Sequence, residues 1–295
     1  MNFAKWIFAT SLAIFSTNTL SCPKSDCVRI GSWNIAWLGS EKREQLTDAA
    51  TIASMAQLIA DEWSIDLISL EEINTAIDGD MRGEHYSTQQ WSQLRDALQK
   101  KGYRTQAGNS GNAQRIVFAW RKPVEALKLA SDMEIPDSYR IDDYCRSSNL
   151  RKPLAGLFHA GQFDFWAIGL HLKSGYGGKT FCTNAVGSMQ VYYISKQLST
   201  LEKTDKDILL IGDFNATSKH ESLQGFREQG FVATLTNTAE HNRVIDHVII
   251  NSANTTEWKD NSTILYKPAN RADFEKRYSD HVPVWSDFST LHDDD

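Results

Sequence analysis

The stretch "LLIGDFNATS" (residues 209–218) runs three apolar residues into Gly212 and then presents Asp213, Phe214 and Asn215. A buried strand that finishes on a carboxylate and a carboxamide needs a reason. Side chains at i and i+2 of an extended chain point the same way. Asp213 and Asn215 are therefore expected to face one point at a strand end.

Working outward, other β-branched or aromatic runs bounded by turn residues read as strands. They are 27–35, 65–73, 115–121, 154–160, 163–172, 207–214, 243–251 and 281–288. Several are apolar on both faces, as in sheets covered on both sides. "HAGQFD" (159–164) reads as a hairpin turn. Helical spacing of apolar residues marks 43–63, 87–101 and 185–203, the second with Ser87 as its cap. Alternating helices and strands with interspersed hairpins predict an α/β sandwich, sheet inside and helices outside. No linker-like stretch interrupts 22–295, which is expected to be one domain.

The N-terminus has the form of a secretory signal, 1–21: Lys5, the short apolar run "WIFATSLAIF", then small polar residues. The run is too short to span a bilayer. Thr19 and Ser21 suit a cut ahead of Cys22, giving a secreted or periplasmic protein without stable membrane insertion. A buried helix is the alternative, and so is a lipid anchor at Cys22, for which Thr19 fits poorly. Four cysteines suit an oxidising compartment and allow three pairings. The expected pairs are Cys22–Cys27 and Cys145–Cys182. A zinc site competes weakly, because no CxxC pair or histidine cluster accompanies them. The net charge of −6 argues against a chain that coats nucleic acid through its overall field, but not against a local basic cleft.

The strands share one trait: their apolar runs end in, or are broken by, polar groups. These are Asn34, Glu71–Glu72, His171, Asp213 with Asn215, Asp246–His247 and Asp280–His281. Taken singly, each is an ordinary cap, turn or surface pair. Together they imply one shared site, because a buried polar group is costly unless partnered. Carboxylates and an amide oxygen are hard ligands that suit Mg²⁺, with Mn²⁺ or Ca²⁺ as alternatives. Histidines beside aspartates suit proton transfer and phosphate contact. A hard cation with an Asp–His pair points to phosphoester hydrolysis.

The ordered set "SWNI", "LISLEEI", "GLHLKSG", "IGDFNA", "IDHVII" and "SDHVPV" resembles the endonuclease/exonuclease/phosphatase superfamily, from about Val28 to Phe288. Pancreatic-type deoxyribonucleases and abasic-site endonucleases belong to it. The resemblance implies a four-layer α/β sandwich with two packed mixed β-sheets and outer helices. It makes Glu72 the principal metal ligand, with Asn34 and Asp280 completing the metal environment. It makes His281 the general base or phosphate-binding histidine, oriented by Asp246. Asp213 and Asn215 would position the attacking water and the phosphate. His171 would be an acid or phosphate ligand, and Arg151 in "NLRKPLAGLF" a phosphate contact. Two departures stand out. Gln114 occupies the place of a glutamate that partners the histidine matching His171. Glu71 replaces an amide beside Glu72: it is either a second metal ligand or, as strand alternation favours, turned the other way.

The resemblance implies a divalent-metal-dependent phosphodiesterase; "HLKSG" (171–175), which is similar to exported bacterial nucleases of the group, leans it towards an exported nuclease on DNA or RNA, and a monomer is expected. Arg115, Arg121, Lys122, Arg151, Lys152, Lys173 and Lys179 are candidates for a positive groove, and Tyr144 or Tyr176 for base stacking. The alternatives are a secreted phosphatase or sphingomyelinase-like lipid phosphodiesterase, and an inactive binding module. The lipid reading lacks an apolar membrane-contact loop, "GYGGKTF" (175–181) being the nearest. The inactive module lacks a vacant acid or base position.

Overall fold

The computed structural model describes residues 23–39, 48–75, 89–111, 114–136, 138–140, 146–147, 150–173, 180–235 and 244–293. In chain order these form β1 (Cys27–Leu38), α1 (Ala49–Gln57), β2 (Leu67–Ile73), α2 (Gln89–Lys100), β3 (Arg104–Ala107), β4 (Arg115–Trp120) and β5 (Glu125–Asp132). They continue with β6 (Tyr139–Arg140), β7 (Arg146–Ser147), β8 (Leu154–Ala160), β9 (Phe163–His171), α3 (Thr180–Leu201) and β10 (Ile208–Asp213). The chain ends with α4 (Gln224–Arg227), β11 (Phe231–Ala233), β12 (Asp246–Asn251), β13 (Ile264–Leu265), α5 (Arg271–Arg277) and β14 (Val284–Ser289).

Two six-stranded sheets face each other, ordered β13-β14-β1-β2-β4-β3 and β11-β12-β10-β9-β8-β5. Both are mixed: β1–β2 and β9–β10 run parallel, the other pairings antiparallel. The layer between them is apolar, with Ile30, Leu67, Phe118, Phe158, Phe165, Leu209, Ile211 and Phe288 all buried. Alternation sends Ile68 and Leu70 to the opposite face, against α1 and α2. In the second sheet it sends Ile168, Leu170 and Leu210 against α3 and α4. The result is the expected four-layer sandwich. Helices cover the outer faces of period-two strands, so each central strand buries both faces.

The hairpin expected at 159–164 joins β8 to β9 in register His159↔Asp164. Gly161 takes φ +64° there, a left-handed value natural to glycine. Gly212 has a different role: at φ +148°, a Cβ would lie 1.9 Å from the Leu170 carbonyl oxygen. Only glycine lets β10 lie this close to β9 just before Asp213.

The helix expected at 43–63 is observed as α1 running into a π-helical turn, Leu58–Glu62. Asp48 caps it, accepting from the Thr51 amide at 2.7 Å. Cys27 and Cys182 are both disulfide-bonded. Cys22, Cys145 and the expected signal segment lie outside the described residues. No described helix is long and apolar enough to cross a membrane.

Candidate active site

Strand direction brings the polar groups together. The parallel pairs β1–β2 and β9–β10 finish at the same end of the sandwich, where β12 begins. Asp213 lies directly across from His171 on β9 and from Asp246 on β12.

The β1–β2 side is built on a matched irregularity. On β1, Trp33 and Ile35 face α1 and α2, and the next residue to do so is Leu38. On β2 the same face is taken by Leu70 and then Ile73. Both strands skip a beat, and the register shifts between Asn34 and Leu38. Ala36, Trp37 and Glu72 all adopt left-handed φ, at 46°, 60° and 63°. Such values are costly for non-glycine residues and cluster at functional sites. Here they are held by side chains: Asn34 Oδ1 accepts from the Ala36 amide at 2.9 Å, and Glu72 Oε2 from the Trp37 amide at 3.0 Å. Asn34 Nδ2 then donates to Asp213 Oδ2 at 3.0 Å and to Glu72 Oε1 at 3.3 Å, tying the two sheets together.

The skipped beat separates the paired glutamates. Glu71 turns into the inter-sheet layer, where the Ser32 hydroxyl donates to Oε2 at 3.0 Å and Ser69 to Oε1. It is fully buried. Burial, reinforced by Asp246 and Asp213, pushes its carboxyl well above the ordinary range. Glu72 remains at the strand end, 3.6 Å from His171 Nε2.

His281 Nδ1 bonds Asp246 Oδ2 at 2.8 Å, which leaves Nε2 3.9 Å from Asp213 Oδ2. Ser279 of the same turn donates to the Asn34 carbonyl at 2.6 Å and accepts from the His281 amide at 3.0 Å. The segment before β14 is thus fastened to β1. Burial opposes the His281 charge, but Asp246, Asp213 and Asp280 outweigh it and raise the imidazole to about 10. His171 goes the other way. Burial, then Arg151, His281 and Lys173, pull it well below the usual histidine range. Its Nε2 sits 3.6 Å from Asp213 Oδ2. Asp213 is lifted to about 7, by burial first and the facing Asp246 second. One site therefore holds a charged histidine, a neutral histidine and a carboxyl that titrates near neutrality. Such separation of titrating groups marks acid–base assignments.

Asp213 and Asn215 do meet, though not by strand alternation. β10 stops at Asp213, Asn215 is left-handed at φ 49°, and its amide returns to Asp213 Oδ1 at 2.7 Å. Its Nδ2 donates to the Leu172 carbonyl at 3.0 Å. Gln114 departs from expectation: it does not hold the His171 ring. Its Oε1 accepts from Arg151 Nη1 at 2.7 Å, and His171 Nδ1 is buried without a hydrogen-bond partner among the described residues. Arg151 also donates to the carbonyls of His171 at 3.0 Å and Leu172 at 2.8 Å. Three of its five N–H groups are engaged with the protein itself, so it acts as a strut under His171 and Asn215.

Asp280 is exposed and reaches the site through its charge on His281, while its carbonyl accepts from Arg271. Arg121 and Lys122 do not border the cleft. They follow β4 at the opposite end, with Arg121 3.4 Å from Asp66 and Lys122 3.0 Å from Glu125. Arg115 is buried and donates to Thr75 at 3.1 Å. Lys179, Tyr144 and Tyr176 lie outside the described residues.

The donor set fits a divalent cation. One ligand atom each from Asp213, Asp246 and His281 lies within 4.8 Å of the others. Asp246 Oδ1 is buried with no hydrogen-bond partner among the described residues. The Glu72 and Asn34 oxygens, tied to Asp213 through the Asn34 amide, add hard donors of the kind that Mg²⁺, Mn²⁺ or Ca²⁺ prefers.

The family model for the Endonuclease/Exonuclease/phosphatase family matches residues 31–281. A comparison with curated protein sequences gives no match. Among solved structures, a functionally unknown conserved protein from Enterococcus faecalis superposes with a TM-score of 0.62 at 16% identity, covering 88% of this chain and 98% of the other. Humanized D. rerio TDP2 gives 0.59 at 15% identity, covering 89% and 98%. The mannosyl-6-phosphatase of Bacteroides thetaiotaomicron gives 0.55 at 16% identity, covering 88% and 98%. At such identities the structures share the fold.

Proposed function

The chain belongs to the Endonuclease/Exonuclease/phosphatase family, whose members hydrolyse phosphoester bonds, and on that premise we propose that it is a divalent-metal-dependent phosphodiesterase acting as an exported nuclease. The observation that carries this is the division of charge across the Asp213 carboxyl. On one side stands a charged His281, held by Asp246. On the other stands a buried neutral His171 beside Glu72.

The residues then divide the work. His281, protonated through neutral pH, grips a phosphate oxygen with the N–H at Nε2. Asp213, titrating near 7, accepts the proton of the attacking water. His171 offers the N–H at Nε2 as a neutral donor. Asn215 and Arg151 hold the carbonyls and the turn that fix these positions. Glu72 and Asn34, facing the Asp213 and Asp246 carboxylates, would hold a divalent ion, most simply Mg²⁺, with Asp280 included on the family resemblance alone; when bound, the ion would neutralise phosphate charge and polarise the ester.

Export is read from the leader-like segment 1–21, and the pairs Cys22–Cys27 and Cys145–Cys182 belong to the same proposal. The substrate is read as DNA or RNA from the family resemblance and from Lys173, whose charge acts on His171; the protein would act as a monomer.

The test is incubation with supercoiled plasmid, with and without Mg²⁺, beside His281→Ala. Sphingomyelin, inositol phosphates and sugar phosphates run in parallel. Metal-dependent nicking that vanishes in the variant is the expected result. An intact plasmid with phosphate or phosphocholine released elsewhere transfers the same residues to a phosphatase or lipid phosphodiesterase.

A further inference from the structure

Arg121 and Lys122 lie away from the catalytic cleft, and their charge has no part in the site described above. β3 begins and β4 finishes at that far end, with Arg104 directly across from Trp120. A cavity of about 310 Å³ opens there, and its walls include Arg104, Trp120, Arg121, Lys122, Val124 and Glu125. Three cations thus face one small space with a single carboxylate. Lys122 and Glu125 pair at 3.0 Å, but both side chains are half or more exposed. Such a surface pair is weak and is readily exchanged for a better partner. Arg104 is exposed and makes no side-chain hydrogen bond or ion pair among the described residues.

The second, independent observation is Arg121 itself. Its side chain is only 15% exposed, and its guanidinium carbon lies 5.0 Å from the centre of the Tyr103 ring. Among the described residues that side chain makes a single hydrogen bond, from Nε to Asp66 Oδ1 at 3.4 Å. This is longer than the roughly 2.7–2.9 Å of a good charged pair. Asp66 is also shared, its Oδ2 accepting from the Arg29 amide at 3.1 Å. Arg121 Nη2 is buried without a hydrogen-bond partner. Arg29 and Arg151 are spent quite differently, each donating three side-chain hydrogen bonds to the protein. Arg121 is therefore held in place with most of its donors unengaged, a costly state for a largely enclosed charge.

We propose that this cavity binds a phosphate-class oxyanion, at a site separate from the catalytic one and independent of the nuclease reading. Guanidinium forks suit phosphate oxygens, and an ammonium adds a movable point charge. Arg104, Arg121 and Lys122 together outweigh Glu125 by more than a single carboxylate ligand would neutralise, and so suit a dianion. The volume is at the low end for small-molecule pockets. It takes inorganic phosphate or the phosphoryl end of a small monoester, rather than a strand of nucleic acid. Trp120 and Val124 are almost entirely buried and offer an ester's organic part only a narrow apolar wall.

The test is calorimetric titration of the full chain, in chelator and at fixed ionic strength, with sodium phosphate, adenosine monophosphate or NaCl. His281→Ala is the background, so that the catalytic end cannot supply the grip. This variant should bind one phosphate per chain. Adding Arg121→Gln should weaken binding by more than about tenfold, and adding Arg104→Ser by about fivefold, as expected for lost charged hydrogen bonds. Both ligand outcomes support the site: tighter binding of the monophosphate identifies an ester as its ligand, and equal or weaker binding identifies free phosphate. No saturable binding to His281→Ala overturns the proposal, as does a heat that NaCl reproduces. Binding unchanged in both arginine variants overturns it too, and places the anion elsewhere. If Arg121→Gln does not fold, Arg104→Ser and Lys122→Ser, both at exposed positions, decide together.

Discussion

The two ends of the sandwich are both rich in buried carboxylates, yet they solve the resulting problem differently. Where β9 and β10 finish, the acids have nitrogens beside them. Asp246 holds His281, Asp213 receives Asn34, and Glu72 receives Asn34 and the Trp37 amide. Where β9 and β10 begin, Asp207 has no such partner among the described residues, and the charges that act on it are those of other acids. The first arrangement separates proton affinities and can do chemistry. The second only concentrates negative charge, which serves binding or stability.

Substitution should break that comparison most sharply at the histidine. His281→Ala should cost about 10²–10⁴-fold in kcat/KM, and Asp246→Asn nearly as much, because the ring loses its orienting acceptor. Asp207→Asn, at the other end, should leave kcat/KM within about twofold, as expected of a change far from the chemistry. Plasmid nicking or a chromogenic phosphodiester reports all three. Chelation should abolish hydrolysis wherever Glu72 is the ion's ligand. Stability carries a sign of its own. The folded pKa of His281, about 10, lies above its unfolded value near 6.5. Its contribution is therefore complete below about pH 6.5 and fades as pH rises through about 10. In chelator, the stability lost in His281→Ala should be largest in acid and shrink toward pH 10. Urea denaturation at several pH values measures this, and a loss that grows with pH would reverse the assignment.

A smaller effect is expected one layer beneath the histidines. Gln114 and Arg151 act on the reaction through the carbonyls of His171 and Leu172. Gln114→Ala should lower kcat by about tenfold with KM little changed, the mark of a misplaced catalytic group. Gln114→Glu should retain most activity, because a carboxylate accepts from the guanidinium as well. Arg151→Lys should not, since one ammonium cannot serve three acceptors in a fork. A rise in KM alone in Gln114→Ala would instead mean that Arg151 contacts phosphate directly.

These residues also show what the sequence could and could not disclose. Apolar runs ending in Asn34, Glu72, His171, Asp213, Asp246 and His281 were legible, because burial writes a two-residue period and a polar break stands out against it. The core strands were legible for the same reason. β5 was not: Leu127 and Leu129 are exposed on an edge strand without β-branched residues. The two-residue β6, β7 and β13 were too short to show any period. The left-handed turns at Ala36, Trp37, Glu72 and Asn215 carry no glycine to announce them. Contacts between distant segments were hidden as well. Nothing local indicates that Gln114 serves Arg151 rather than His171, or that Arg121 lies at the far end. Asp164, Asp205, Asp207, Glu257 and Asp293 read as scattered surface acids until the strand order gathers them.

The smallest expected effect concerns Glu71, which touches the catalytic end but resembles the other end in character. It is a buried carboxyl whose pKa is raised by burial, and then by Asp246 and Asp213. Its folded pKa lies above its unfolded value. The folded state therefore keeps a proton that the unfolded state releases, and this contribution is complete in acid and lost as pH rises toward the folded value. An amide at this position, in Glu71→Gln, would carry no such dependence. In chelator, that variant should therefore gain stability relative to wild type as pH rises from about 5 to 8. Ser32 and Ser69 can reorient to serve the amide, so kcat/KM should stay within about threefold. Parallel melting curves across that pH range check the sign. A gap that closes with rising pH, or a collapse of activity in Glu71→Gln, would show instead that Glu71 works as an ionised ligand alongside Glu72, and would move it from the packing of the inter-sheet layer into the catalytic set.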